Sequence, residues 1–106
     1  MNRLDIAPEY MAIVQAVLQK NVPQRTVWAF GSRVKGAAKP YSDLDLAVVG
    51  DTPLSWMELA GLADDFSNSD LPWKVDIVDW ANTSEEFRKV ILARKIEIQR
   101  PSERKK

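Results

Sequence analysis

The 106-residue chain contains no cysteine and no histidine. Without cysteine it cannot form a disulfide bond, a thiolate metal site or a cysteine nucleophile. Without histidine it has no Ser-His-Asp triad, no histidine-ligated zinc and no histidine general base. Any chemistry must therefore use carboxylates, hydroxyls, lysine, arginine and backbone groups. Carboxylate oxygens favour hard cations such as Mg²⁺.

The chain also lacks a charge excess and a long apolar run. Fifteen Lys and Arg residues balance fifteen Asp and Glu residues, so nucleic acid, which selects basic surfaces, is not expected as a direct substrate. No apolar run approaches the roughly 20 residues of a membrane span, and the N-terminus lacks the apolar core of a signal peptide. We therefore expect a cytoplasmic protein that does not bind membranes. Its length predicts one domain over residues 1–100, followed by a basic tail at 101–106.

Hydrophobic periodicity and turn residues predict an α/β or α+β layer fold. Helices are expected at 8–20, at 32–38, after Ser55 and at 84–95, and strands at 26–30, 43–49 and 73–79. The segment "KIEIQ" alternates in polarity and fits either a final strand or the end of the last helix.

Capping and burial can also be predicted from the pattern. Capping boxes are expected at Ser55 with Glu58 and at Thr83 with Glu86. The inward side chains of the third helix are predicted to be Leu59, Leu62, Ala63 and Phe66, and those of the last helix Phe87, Val90 and Ile91. Trp28 is expected in the core. For Trp56, Trp73 and Trp80 a core position is favoured over stacking on a base or a partner.

Asp43 and Asp45 stand on alternate positions at the start of a predicted strand. Alternate side chains of a strand share a face, so the two carboxylates point the same way and Leu44 points to the core. Like charges this close raise each other's pKa unless a cation lies between them. Asp76 stands between two apolar residues of the next predicted strand, and it joins the pair if the strands are neighbours. Three such carboxylates can hold the ions of a two-metal site.

Gly31 and Ser32 follow the first predicted strand and precede a short helix. Glycine at such a turn allows close approach of backbone to a phosphate, and Ser32 can cap the helix or donate to a phosphate oxygen. Arg33 and Lys35 either neutralise a triphosphate or lie on a solvated helix face. The simpler alternatives are a plain turn at Gly31 and a surface position for Asp76. The pleat places Asp79 on the face opposite to Asp76, where it is expected to order the following turn.

The stretch "GSRVKGAAKPYSDLDLAVV" resembles the signature of the DNA polymerase beta-like nucleotidyltransferase superfamily. That signature has Gly-Ser, ten residues, Asp-x-Asp and a third Asp on a later strand. "LPWKVDIVDW" followed by "SEEFRKVI" is similar to the minimal nucleotidyltransferases, many of which are antitoxins in HEPN/MNT toxin–antitoxin pairs. The resemblance covers about residues 10–100.

The resemblance implies a polymerase beta-like fold, with a small mixed sheet flanked by helices. It also implies transfer of AMP, or another nucleoside monophosphate, from a nucleoside triphosphate such as ATP to an acceptor hydroxyl. Asp43 and Asp45 would bind two Mg²⁺ ions, and Asp76 would bind the catalytic ion and assist deprotonation of the acceptor.

Three functions follow from the resemblance. The first is adenylylation of a HEPN-type toxin, which silences it. The second is an antitoxin that acts by binding alone, and the third is a nucleotidyltransferase that modifies small molecules, as aminoglycoside-modifying enzymes do. The carboxylate triad argues against the second function, and the lack of a substrate domain argues against the third. So small a chain is expected to borrow its acceptor-binding surface from a second copy or a partner, as a homo- or hetero-oligomer.

Overall fold

A computed structural model of the chain describes residues 4, 6–35 and 42–101. The helices are α1 (Pro8–Asn21), α2 (Ser32–Lys35), α3 (Trp56–Ser67) and α4 (Glu85–Ala93), and the strands are β1 (Thr26–Phe30), β2 (Leu44–Val49), β3 (Val75–Asp79) and β4 (Ile96–Gln99). The predicted order of helices and strands is confirmed. The segment "KIEIQ", which fits either a strand or a helix end, contains strand β4. Residues 36–38 of the second predicted helix and residues 102–106 of the predicted tail lie outside the described residues.

The four strands form one mixed sheet in the order β3-β2-β1-β4. Strand β1 runs antiparallel to both β2 and β4, and β2 runs parallel to β3. Helix α3 makes the crossover between the two parallel strands, as a parallel connection requires. The predicted mixed α/β architecture is therefore confirmed, and the strand that carries Asp76 is the direct neighbour of the strand that carries Asp45.

One face of the sheet is covered by α1 and α3, and it holds the main core. Alternate residues of the strands, among them Leu44 and Leu46, pack there against Val14 and Leu18 of α1 and against α3. These four side chains are fully buried. Strict alternation along β2 sends Asp45 to the opposite face because its neighbours point inward.

The opposite face is covered in part by α4, around Phe30, Ala47 and Ile91. Only Ile91 of the three predicted inward residues is buried. Val90 is 54% exposed, so the prediction is wrong for Val90. Phe87 is 40% exposed but still faces the sheet, because its ring packs edge-on against Phe30. The apolar cluster that α4 meets on this face is smaller than the main core on the other face.

The tryptophans differ in burial, and the sequence did not predict which of them are exposed. Trp73 is buried, whereas Trp28 is only partly buried and packs edge-on against Trp80 with ring centroids 5.2 Å apart. The sequence favours a core position for Trp56, but this prediction is wrong because Trp56 is 81% exposed. It lies in the first turn of α3, outside the stripe that faces the sheet.

The third helix follows its predicted face only in part. Leu62 and Phe66 are buried, but Leu59 is 41% exposed and Ala63 is also exposed. Helix α3 packs on the sheet through Leu62 and Phe66, and the other apolar side chains of its predicted face remain exposed. In the part of the chain that the structure describes, no helix has the length and apolar character needed to span a bilayer.

The two predicted capping boxes have different outcomes. At the start of α3 both bonds of the Ser55–Glu58 box are present. The box predicted from Thr83 is wrong because α4 begins one residue later, with Ser84 as the N-cap that accepts from the Phe87 amide. The Thr83 hydroxyl instead donates to the carbonyl of Asp79, at 2.7 Å.

The Gln99 side chain connects β4 to the turn before β1 through two hydrogen bonds. Its buried amide Nε2 donates to the carbonyls of Val22 and Arg25, at 2.9 and 3.0 Å. We expect Gln99→Met, which keeps the volume but removes the donor, to lower the free energy of unfolding by about 1–3 kcal/mol because both carbonyls lose their partner. Urea denaturation measures the change, and Gln24→Met at an exposed position is the matched control. Equal stability of the two variants would contradict the assignment.

Candidate active site

The three candidate carboxylates come together on the α4 face of the sheet. Asp45 and Asp76 are register partners on the parallel strands β2 and β3, so their side chains leave the sheet on the same face. Asp43 lies two residues before Asp45, immediately outside β2, and is exposed. The sequence-based condition for the cluster, that the second and third strands are neighbours, is met.

Asp45 lies in an environment that disfavours its charge. Its pKa is raised above the usual value, chiefly by burial and then by the negative charges of Asp76 and Asp43. Phe30, the register partner of Asp45 on β1, is itself buried and packs edge-on against Phe87, with ring centroids 5.7 Å apart. The cluster therefore holds negative charge that its surroundings do not fully compensate.

The metal-binding capacity of this cluster depends on carboxylate oxygens. Within the described ranges, no group of three or more acidic side chains is already arranged as a metal site. Asp45 and Asp76 nevertheless offer oxygen donors from adjacent register positions, with Asp43 close by in sequence. Such oxygen donors match the preference of Mg²⁺.

Gly31 forms the turn between β1 and α2 with a φ of 85°. A Cβ added to this glycine would overlap Oδ2 of Asp45. Glycine is therefore required at position 31 for two reasons. The backbone there is in the left-handed region, and the Asp45 carboxylate occupies the space that a Cβ would need. The sequence predicted a close approach between this turn and a phosphate, and the structure places a carboxylate of the cluster beside it.

Arg33 connects α2 to the segment that precedes Asp43. Its guanidinium lies 4.5 Å from the ring centroid of Trp73, and its Nε donates to the carbonyl of Ser42 at 3.0 Å. The side chain is only 5% exposed. The alternative of a solvated helix face is therefore wrong for Arg33. The side chain of Lys35 lies outside the described residues.

Asp79 has a structural role on the other face of the sheet. Its Oδ2 accepts from the Leu54 amide and from Asn82 Nδ2, each at 3.0 Å. Its backbone carbonyl accepts from the Thr83 hydroxyl. Asp79 thus holds the turn after β3 and the segment before α3, which confirms the prediction that it orders the turn.

A cleft of about 920 Å³ runs beside β3 and opens onto Asp43 and Asp76. Its apolar wall comes from α3, from the loop after it and from β3, and includes Leu59, Ala63, Phe66, Leu71, Pro72 and Trp73. The sequence did not predict this cleft, because its walls meet only once α3 packs on the sheet. The Arg33–Trp73 contact, between residues 40 positions apart, likewise left no sequence signal.

This chain is similar to known proteins in sequence and in fold. Residues 13–104 match the family described as "Polymerase beta, Nucleotidyltransferase". The chain belongs to this family. A relative from Haemophilus influenzae, named as a probable protein adenylyltransferase MntA, is 58% identical over 89 residues, which are 84% of this chain and 78% of the relative.

Solved structures of this family share the fold. A toxin–antitoxin crystal structure with AMP-PNP matches with a TM-score of 0.71 and 24% identity, over 85% of this chain and 73% of that chain. The structure of a tri-AMPylated Shewanella oneidensis HEPN toxin in complex with an MNT antitoxin matches with a TM-score of 0.64 and 24% identity, over 85% and 69% of the two chains. At this identity the likeness concerns the fold.

The raised pKa of Asp45 predicts a dependence of stability on pH. Because the folded state favours the protonated carboxyl, the contribution of Asp45 to stability falls as the pH rises from its usual pKa through the raised folded pKa. We expect Asp45→Asn to raise the Tm at pH 7 by about 1–3 °C, a small gain because the group is partly exposed and screened.

The gain should disappear below about pH 4, where the carboxyl is protonated in both states. Thermal melts of the two proteins between pH 3 and pH 8, without divalent cations, measure it. A variant less stable than the parent at pH 7 would contradict the origin given for the shift.

Proposed function

We propose that this chain is a protein adenylyltransferase that transfers AMP from ATP to a hydroxyl of a HEPN-type toxin and thereby acts as its antitoxin. The observation that carries the proposal is the register pairing of Asp45 with Asp76, next to Asp43 and to the Gly31 turn. Support also comes from the 58% identity to a relative named as a probable protein adenylyltransferase. ATP is cytoplasmic, so we expect the reaction there.

We assign the catalytic and metal-binding roles to Asp43, Asp45 and Asp76, with two Mg²⁺ ions as the expected cofactor. Bound Mg²⁺ would align the acceptor and leaving oxygens and neutralise charge on the phosphates. The chain's own contribution is to hold Asp45 and Asp76 side by side on one face of the sheet, because β2 and β3 are paired along their length, with Asp43 immediately before β2. The main core on the other face keeps this arrangement fixed.

We assign the triphosphate to the turn formed by Gly31 and Ser32, with Arg33 and Lys35 as the nearby cations. Gly31 has no side chain to block a phosphate, and Ser32 is only partly buried, so its hydroxyl is available as a donor. Because the Arg33 guanidinium is buried against Trp73, we expect it to act on the phosphates through the position of α2 and Ser42.

The reaction balances without a further reactant. The acceptor oxygen forms a bond to the α-phosphorus of ATP, the bond from that phosphorus to the bridging oxygen of pyrophosphate breaks, and pyrophosphate leaves. The hydroxyl proton passes to Asp76 or to solvent. The toxin gains one AMP, whose charge and bulk would oppose the approach of RNA to its active site.

The test combines intact-mass spectrometry with calorimetry. A HEPN-type toxin from the source organism is incubated with the chain, ATP and Mg²⁺, and a mass increase of one or more AMP units is expected. Titration of ATP into the chain alone should show binding that requires Mg²⁺. An unmodified but still inhibited toxin would support an antitoxin that acts by binding alone. Transfer to an aminoglycoside without any protein partner would support a small-molecule enzyme, and either result would overturn the proposal.

A further inference from the structure

Strand β3 forms one edge of the sheet, with β2 as its only neighbour among the described strands. The Leu44 amide donates to the carbonyl of Lys74, and Leu44 is the register partner of Val75. In a parallel pair, the backbone groups of alternate residues point to the same side. Lys74 and Asp76 therefore direct their backbone groups to β2, and Val75 and Ile77 direct theirs outward, where a further strand can pair with them.

The apolar cleft lies alongside this open edge. It is lined by Val75 and Ile77 of β3, by Leu59 and Ala63 of α3 and by the loop that contains Leu71. At about 920 Å³ it has room for several side chains. An open strand edge beside an apolar groove is the combination that binds extended peptides, because the edge pairs with the backbone and the groove takes alternate side chains.

We propose that the β3 edge and its cleft bind an extended segment of the protein that accepts AMP. This inference rests on the proposed function and names how the acceptor reaches the site. A residue of the added strand opposite Asp76 would lie on the same face of the sheet, with its Cβ about 5 Å from that of Asp76. A tyrosine, serine or threonine there would bring its hydroxyl to the carboxylates, while its neighbours in sequence enter the cleft.

Two features favour a segment of the target over a second copy of this chain. The cleft is continuous with the carboxylate cluster, since Asp43 and Asp76 line its mouth. An occupant of the cleft is therefore placed for transfer. A second copy that paired through the same edge would present "VDIVD", which contains no hydroxyl to accept AMP. The segment that fits carries a hydroxyl residue flanked by apolar side chains.

The first test compares two alanines of α3. Both are exposed, but Ala63 lines the cleft and Ala60 does not. Because both lie in the same helix, arginine at either position costs similar helix propensity, and only Ala63→Arg fills the cleft. With a HEPN-type toxin from the source organism as the target, we expect Ala63→Arg to weaken target binding and lower kcat/KM for transfer at least tenfold. Ala60→Arg should match the parent, and all three proteins should bind ATP with Mg²⁺ equally.

The second test reads the strand edge directly in the unmodified protein. In residue-resolved hydrogen exchange, the amides of Val75 and Ile77 should exchange at least tenfold more slowly once the target is bound. The Asp76 amide, which points to β2, is the internal control and should already be slow in the free protein. This measurement does not depend on whether the Ala63→Arg variant folds.

The outcomes separate this inference from the proposed function. If the parent does not modify the target, the proposed function fails. If the parent modifies it, but Ala63→Arg is as active as Ala60→Arg and the Val75 and Ile77 amides are unprotected, the target docks elsewhere and the inference is overturned. A dimer of this chain that dissociates in Ala63→Arg, with transfer unchanged, would assign the edge to a second copy and also overturn it.

Discussion

Replacement of Asp45 or Asp43 by asparagine should reduce AMP transfer by about 1000-fold or more. Asparagine keeps the size of the side chain but removes the negative charge that would hold a divalent cation in the proposed site. The loss of metal-assisted charge stabilisation is worth several kcal/mol in the transition state, and each 1.36 kcal/mol is a factor of ten in rate. Neither side chain belongs to the main core, so the fold should be retained.

The measurement is the transfer of labelled AMP to the HEPN target, together with thermal melting of each variant. Asp51→Asn is the matched control, since Asp51 is exposed and lies outside the carboxylate cluster. It should transfer AMP at the parental rate. Full activity in Asp45→Asn would remove Asp45 from the catalytic group. Unfolding of Asp45→Asn would assign the carboxylate a structural role.

Gly31→Ala should damage both stability and activity. A non-glycine residue at a φ of 85° is strained, and the new Cβ would displace the Asp45 carboxylate. The strain costs about 1–3 kcal/mol, which lowers the Tm of a chain of this size by about 10 °C. Because Asp45 must move, transfer should fall even under conditions in which the variant is fully folded.

A double-mutant cycle separates the two causes. In the Asp45→Ala background the carboxylate is absent, so Gly31→Ala should cost only the backbone strain. Chemical denaturation of the four proteins measures the coupling. If Gly31→Ala costs the same in both backgrounds, the contact with Asp45 does not contribute to its effect.

The burial of Asp45 and the open β3 edge are both consistent with the proposed transfer of AMP. Asp45 is partly buried, with Phe30 as its register partner on the β1 side, and a lower local dielectric would strengthen its interaction with a cation. Asp76, on the other side, is exposed at the strand edge. The cluster is thus more open towards β3 than towards β1, and β3 is the side from which we propose that the acceptor approaches.

The sequence by itself determined the local parts of this protein. Alternation along "DLDLAVV" sends Leu44 and Leu46 to one face and Asp45 to the other, whatever the strand pairs with, because the period of a strand is two. The Gly-Ser turn, the three main strands and the Ser55 cap also depend on residues close in sequence. The resemblance carried by "GSRVKGAAKPYSDLD" pointed to the family before any contact was known.

Only the tertiary structure decided which of these parts meet. The pairing of β2 with β3 aligns Asp45 with Asp76, and no pattern within either strand specifies that neighbour. Arg33 is buried because Trp73 lies over it. Val90 is exposed because the apolar cluster that α4 meets is small, although its spacing fits an inward face. The spacing of apolar residues in a helix shows which side chains point in the same direction. The area of the apolar surface that the helix packs against determines how many of those side chains are buried.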